Sequence, residues 1–164
     1  MAVPTRTGND TSRSLAELVR PGDVAMLTTA SVSGRLTSRP LTVAGVDDER
    51  LRFLVAADSP WLDDLGPSDQ VNVGVVASGR NDWVSVSGRA SSRAVPAEIE
   101  ELWSPAASAY FDGPDDPRIA VLELAAEAGE FWDAPAGGPI GRAIELVRAK
   151  LGHPSDDSRG RVEV

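Results

Sequence analysis

The residue types that carry most enzyme chemistry are scarce in this chain. His153 is the sole histidine and cysteine is absent. A Ser–His–Asp triad, a histidine-rich metal site, thiol catalysis and a disulfide framework therefore all lack their parts. His153 itself reads as a solvated tail residue. No GxSxG, glycine-rich phosphate loop or HExxH occurs. Asp112, Asp115 and Asp116 gather three carboxylates, but their spacing is not that of an EF-hand loop, and the Gly-Pro and Asp-Pro steps among them mark a turn. No metal is expected. What remains is binding chemistry. Arg39, between Ser38 and Pro40, carries a guanidinium that either grips an anion in bidentate fashion or lies solvated at a strand edge. Ser59 precedes Pro60, as a helix N-cap does. Trp61, Trp83, Trp103 and Trp132 are each candidates for core, interface or ring contact, and Trp103 reads as core.

The elements that must position these groups read mainly as strands. Residues 1–13 form an expected flexible lead, Ser14 caps a short helix from Leu15 to Val19, and Pro21-Gly22 close it. Strands are predicted over Val24–Thr29, Leu36–Val43, Leu51–Ala56, Val71–Ala77 and Trp83–Arg93, with two further pieces, Ile119–Leu124 and Gly129–Trp132. Pro40 inside the second of these marks an edge or a bulge. Val84, Val86 and Gly88 alternate with Ser85 and Ser87, the pattern of a half-buried strand. Short helices are predicted at Pro60–Leu65 and Pro96–Trp103. A last helix carries Ile140, Ile144, Val147 and Leu151 on one face, and residues 153–164 form an expected flexible tail. Closely spaced strands joined by turns point to a barrel or a sandwich in one domain, residues 14–152.

Composition sets the outer bounds. The 164 residues are 41% hydrophobic and 25% charged, ordinary for a globular domain, and the net charge is −9. That balance argues against a nucleic-acid partner. No apolar run approaches the roughly 20 residues of a membrane span, and the polar first residues lack a signal-peptide core. A cytoplasmic protein is the expectation.

Five segments, in order, resemble the pyridoxamine 5′-phosphate oxidase-like superfamily and, within it, the general stress protein 26 family. They are AMLTTASVSGRLTSRPL (Ala25 to Leu41), LRFLVAADS (Leu51 to Ser59), VSVSGRA (Val84 to Ala90), IEELWSPAASAYFDGPDDP (Ile99 to Pro117) and EFWDAP (Glu130 to Pro135). The resemblance implies a mainly β chain with minor α: a six-stranded antiparallel Greek-key split β-barrel with short flanking helices. It also implies a homodimer with flavin mononucleotide (FMN) at each subunit interface. On the family pattern Arg39 holds the flavin phosphate, Ser38, Pro40 and Leu41 lie along the ring and ribityl chain, and Leu54 and Val55 line the next strand. Ser59 offers its hydroxyl to the phosphate, Trp83 stands beside the flavin, and Phe131 or Trp132 reaches across from the partner. The chain departs from the pattern after Ser59: Pro60 and Trp61 stand where the family usually carries a phosphate-binding lysine, and Trp61 is expected either in core or interface or filling the volume that such a lysine normally borders, closing the pocket. Val55 stands where threonine is common. The implied function is an FMN-binding, flavin-dependent oxidoreductase. The alternatives are a non-catalytic dimer that has lost or merely sequesters flavin, and a split barrel using another cofactor, a deazaflavin or a haem-type ligand.

Overall fold

Alternation of side chains across the pleat explains most of the architecture. In the computed structural model, which describes residues 12–65, 69–77, 82–132 and 159–163, β2 (Val24–Ala30) buries Ala25, Leu27 and Thr29 and turns Val24 and Met26 outward. The same period sends Leu51, Phe53 and Val55 of β4 (Arg50–Ala56) inward. It does so again for Val71, Val73 and Val75 of β5 (Gln70–Ala77), and for Val84 and Val86 of β6 (Asp82–Arg93). With β3 (Leu36–Val46) and β7 (Ile119–Trp132) these strands close on themselves. β2 pairs with β3 and β5, β3 with β4, β4 with β7, and β7 with β6, which returns to β5. Every one of these pairings is antiparallel, and the product is the expected six-stranded barrel. Closure removes the open edges that would otherwise invite aggregation.

The ends of the chain differ from the expected lead and tail. β1 (Ser12–Ser14) runs parallel to β8 (Arg159–Glu163), and β8 pairs antiparallel with residues Gly129–Trp132 of β7. Such short pieces have no periodicity to detect; their pairing depends on β7 outrunning its barrel neighbour β4, whose register stops at Ala125. The expected helix through Ile140–Leu151 and His153 lie outside the described residues.

The remaining elements follow local chemistry. α1 (Leu15–Leu18) opens as predicted at Ser14, whose amide donates to Glu17 Oε2 at 2.8 Å, and it buries Leu15 and Leu18 in the barrel end. Pro60–Leu65 is a 3-10 turn rather than an α-helix. Ile119–Leu124 and Gly129–Trp132 merge into the single strand β7. The intervening Ala-Ala-Glu-Ala run is a poor strand former on its own, and it is held here by pairing with Ser87, Gly88 and Arg89 across a bulge. α2 (Pro96–Leu102) has Pro96 at its first position and packs Ile99 and Leu102 on Ile119 and Val121, with Trp103 joining that cluster from the side. Charge holds it in register: Glu98 receives Arg93 at 2.9 Å, and Arg93 also reaches Glu123 at 2.9 Å.

Candidate functional site

Register decides which strand residues can reach a ligand. Arg39 faces Leu27 across the β2–β3 ladder and Val43 faces Phe53 across β3–β4, so Arg39 and Val43 point to the inner side. Pro40, Thr42 and Ala44 point outward, as does Leu54 of β4. Outside this wall the chain returns after α2 through Leu102–Phe111. Between wall and return segment lies a cavity of about 530 Å³, within the range of small-molecule and cofactor sites.

Six of the residues expected at a site line this cavity: Pro40, Leu41, Leu54, Val55, Ser59 and Trp61. Four do not. Ser38 is exposed, its hydroxyl 2.7 Å from that of Thr28. Arg39 is drawn to the inner side, where Nη1 donates to the buried Thr29 Oγ1 at 2.9 Å and the guanidinium lies 4.4 Å from the ring centre of Trp61. Burial pulls the Arg39 pKa down, against the opposing pull of Asp64, and the group stays protonated. Trp83 and Trp132 are cross-strand partners on β6 and β7, and neither strand contributes to the lining. Phe131, the alternative to Trp132, is buried in the barrel core.

The return segment contributes residues that the strand pattern does not reveal. Leu102, Ser104, Tyr110 and Phe111 form the opposite wall, and Tyr110 is 75% exposed at the mouth. Their sequence signal is the Ile99-to-Pro117 segment, which carries the family resemblance but no periodicity that would mark a wall. Its position rests on the turn at Asp112–Arg118. Asp116 accepts from the amides of Asp112 and Arg118 and from the Arg118 guanidinium, with Nη2 to Oδ2 at 2.6 Å. These bonds, the Arg118 side chain first, hold the Asp116 carboxyl well below the usual carboxylate range. Asp112 and Asp116 thus serve a turn, as the spacing suggests.

The cavity's chemistry is uniform. Its walls are aliphatic and aromatic, its hydroxyls come from Thr42, Ser59, Ser104 and Tyr110, and among the described residues none that lines it is charged at neutral pH. It suits a flat, largely apolar ring with polar edges. For a dianionic phosphate the donor set is thin: Arg39 is the nearby guanidinium singled out by the sequence, and it is already engaged with Thr29 and Trp61.

Comparison with known proteins places these observations in a lineage. The family model described as pyridoxamine 5′-phosphate oxidase like matches residues 10–157. Protein bli-3 of Neurospora crassa is 30% identical in an alignment 125 positions long that covers 67% of this chain and 58% of that protein. The chain thus spans less than two thirds of the length of this curated relative. General stress protein 26 from Bacillus anthracis superposes with a TM-score of 0.63 at 15% identity, over 71% of this chain and 89% of that one. The general stress FMN/FAD binding protein from Xanthomonas citri gives 0.60 at 26% identity, over 71% and 83%.

Proposed function

The chain belongs to the pyridoxamine 5′-phosphate oxidase-like family, and from that premise we propose that it is a flavin-binding protein, working as a homodimer, with oxidoreductase activity of the family's kind. The observation that carries this reading is the uncharged cavity on the outer face of β3 and β4, lined by the Pro40–Leu41 and Leu54–Val55 pairs that the family pattern assigns to flavin contact. The similarity to a protein described as FMN/FAD binding supports it. FMN is the cofactor of this reading, its ring between β3, β4 and the Tyr110–Phe111 wall. Ser38, Arg39, Ser59 and Trp61 stand toward the tail, and Trp83 and Trp132 stand at the subunit interface. Such a ring supplies the electron transfer; the protein supplies position and the exclusion of water. The hydroxyls of Ser59, Ser104 and Thr42 offer hydrogen bonds to polar edges, and the apolar walls remove the ring faces from solvent.

A second reading, flavin held without turnover, draws on one observation: among the described residues Tyr110 is the sole ionisable side chain lining the cavity, and no described carboxylate stands there as an acid or base. A deazaflavin, with its acidic tail, finds no basic groove in that lining. One set of measurements separates these. Titration with FMN, followed by quenching of flavin fluorescence, is expected to saturate. Ala107→Trp, which fills the mouth from the partly exposed 3-10 turn Ala107–Ala109, is expected to weaken binding by at least about tenfold. Anaerobic bleaching of bound flavin by a nicotinamide donor supports the oxidoreductase, and retained colour with no bleaching supports the holder. Absence of any flavin binding overturns both.

A further inference from the structure

The cavity distinguishes one end of a flavin from the other, and this bears on which flavin it takes. A flavin ring and its ribityl chain are uncharged and carry hydroxyls; only the terminal phosphate is a dianion. The cavity offers the first two their counterparts in aliphatic walls, the rings of Trp61, Tyr110 and Phe111, and the hydroxyls of Thr42, Ser59 and Ser104. Among the described residues that line it, it offers the phosphate no cation.

Arg39 does not repair this. Its register with Leu27 sends it to the inner side of the wall, Thr29 takes one of its donors at 2.9 Å, and the Trp61 ring covers it at 4.4 Å. Trp61 lines the cavity and Arg39 does not, so the indole stands at the cavity wall while the guanidinium rests against it. The Asp64 charge acts on the same guanidinium and offsets part of its pull on an anion. A dianion entering here would shed water against indole and aliphatic carbon without a lining charge to replace it. A polyol would exchange water for hydroxyls at little cost.

We infer that this site recognises a flavin by its ring and polyol alone, so that riboflavin binds as tightly as FMN and Trp61 is the residue that sets this indifference. The inference rests on the flavin reading above and sharpens it. Parallel fluorescence titrations of the full chain with riboflavin and with FMN test it, and the expected dissociation constants agree within about threefold. Trp61→Lys places an ammonium at the cavity wall beside Arg39 and is expected to shift the ratio toward FMN by about tenfold. Trp61→Phe keeps a ring there and is expected to leave the ratio near one, which separates the charge from mere loss of the indole. FMN binding more than about thirtyfold tighter than riboflavin overturns the inference while leaving the flavin reading intact. So does a Trp61→Lys ratio that stays near one while the protein remains folded by circular dichroism. Failure of both flavins to bind removes the flavin reading and this inference with it.

Discussion

Asp116 shows how much one side chain can hold. Its side chain is 2% exposed, and its two oxygens accept from two amides and from the Arg118 guanidinium, closing the turn that aims Tyr110 and Phe111 at the cavity. Because these bonds favour the charged form, its folded pKa lies below the ordinary value of 3.8. The contribution to stability is therefore complete above that ordinary value and is lost as pH falls through the lower folded one. Asp116→Asn keeps the shape and removes the charge. It is expected to lower Tm by about 5 °C at pH 7 and to weaken ligand binding by displacing the aromatic wall. Thermal melts from pH 7 downward check the sign: the gap between native and variant should hold steady to about pH 5 and narrow below it. A gap that widens in acid would contradict this account. Arg39 makes the opposite point. Its residue type suggests anion binding, and its inward register brings it to Thr29 and Trp61.

At the scale of elements, β6 and β7 depend on a missing Cβ. Their register slips between Ser87 and Gly88, so that Ala128 and Ala126 are successive partners and Glu127 bulges out to accept from Arg89 and Gln70. A Cβ on Gly88 would run into the Ala125 carbonyl oxygen, which belongs to backbone and cannot swing away. Gly88→Ala is expected to cost about 3 kcal/mol, read as a fall in the urea midpoint at unchanged m-value. The same two strands show what the sequence could reveal. β4, β5 and β6 are legible because Val, Leu and Phe recur at period two, and β2 because Val24 to Thr29 is an apolar run ending in threonines; β7 reads as two pieces because Ala125–Ala128 has no β-branched residue. The barrel-side lining of the cavity, through Pro40, Leu41, Leu54 and Val55, is implied by the family resemblance and not by strand periodicity. The facing wall from Leu102 to Phe111 is not legible as a wall, because it exists only where α2 docks, and that position is fixed by Ile99 and Leu102 on Ile119 and Val121 and by Glu98 on Arg93.

For the whole molecule, the outer surface of the barrel argues for a partner. Thr42 pairs with Val24, the pairing of Ala25 with Val75 sets Val24 beside Val76, and Val76 pairs with Trp83, itself opposite Trp132. The row crosses five strands, and Val24, Val76 and Trp83 are 57%, 55% and 46% exposed. Met26 and Pro40 extend it along neighbouring positions that are also exposed. A contiguous apolar band of this kind on a sheet face is characteristic of an interface rather than of a free surface. In the proposed homodimer a two-fold partner would meet it with the same residues, so each substitution would count twice. The chain's net charge of −9 opposes association of two copies, and burial of the band has to exceed that repulsion. The expected outcome is a dimer by light scattering at about 10 µM, strengthened by added salt because screening weakens the repulsion while leaving apolar burial in place. Val76→Glu with Trp83→Glu, placing four carboxylates at the junction, is expected to give a monomer with an unchanged far-ultraviolet spectrum. If this variant stays dimeric, the two copies meet elsewhere; if the native chain is monomeric at that concentration, the band serves some other partner. Because β3 carries Pro40 into both the band and the cavity, loss of the dimer is also expected to weaken flavin binding. Titrating the monomeric variant measures how much of the site one chain provides alone.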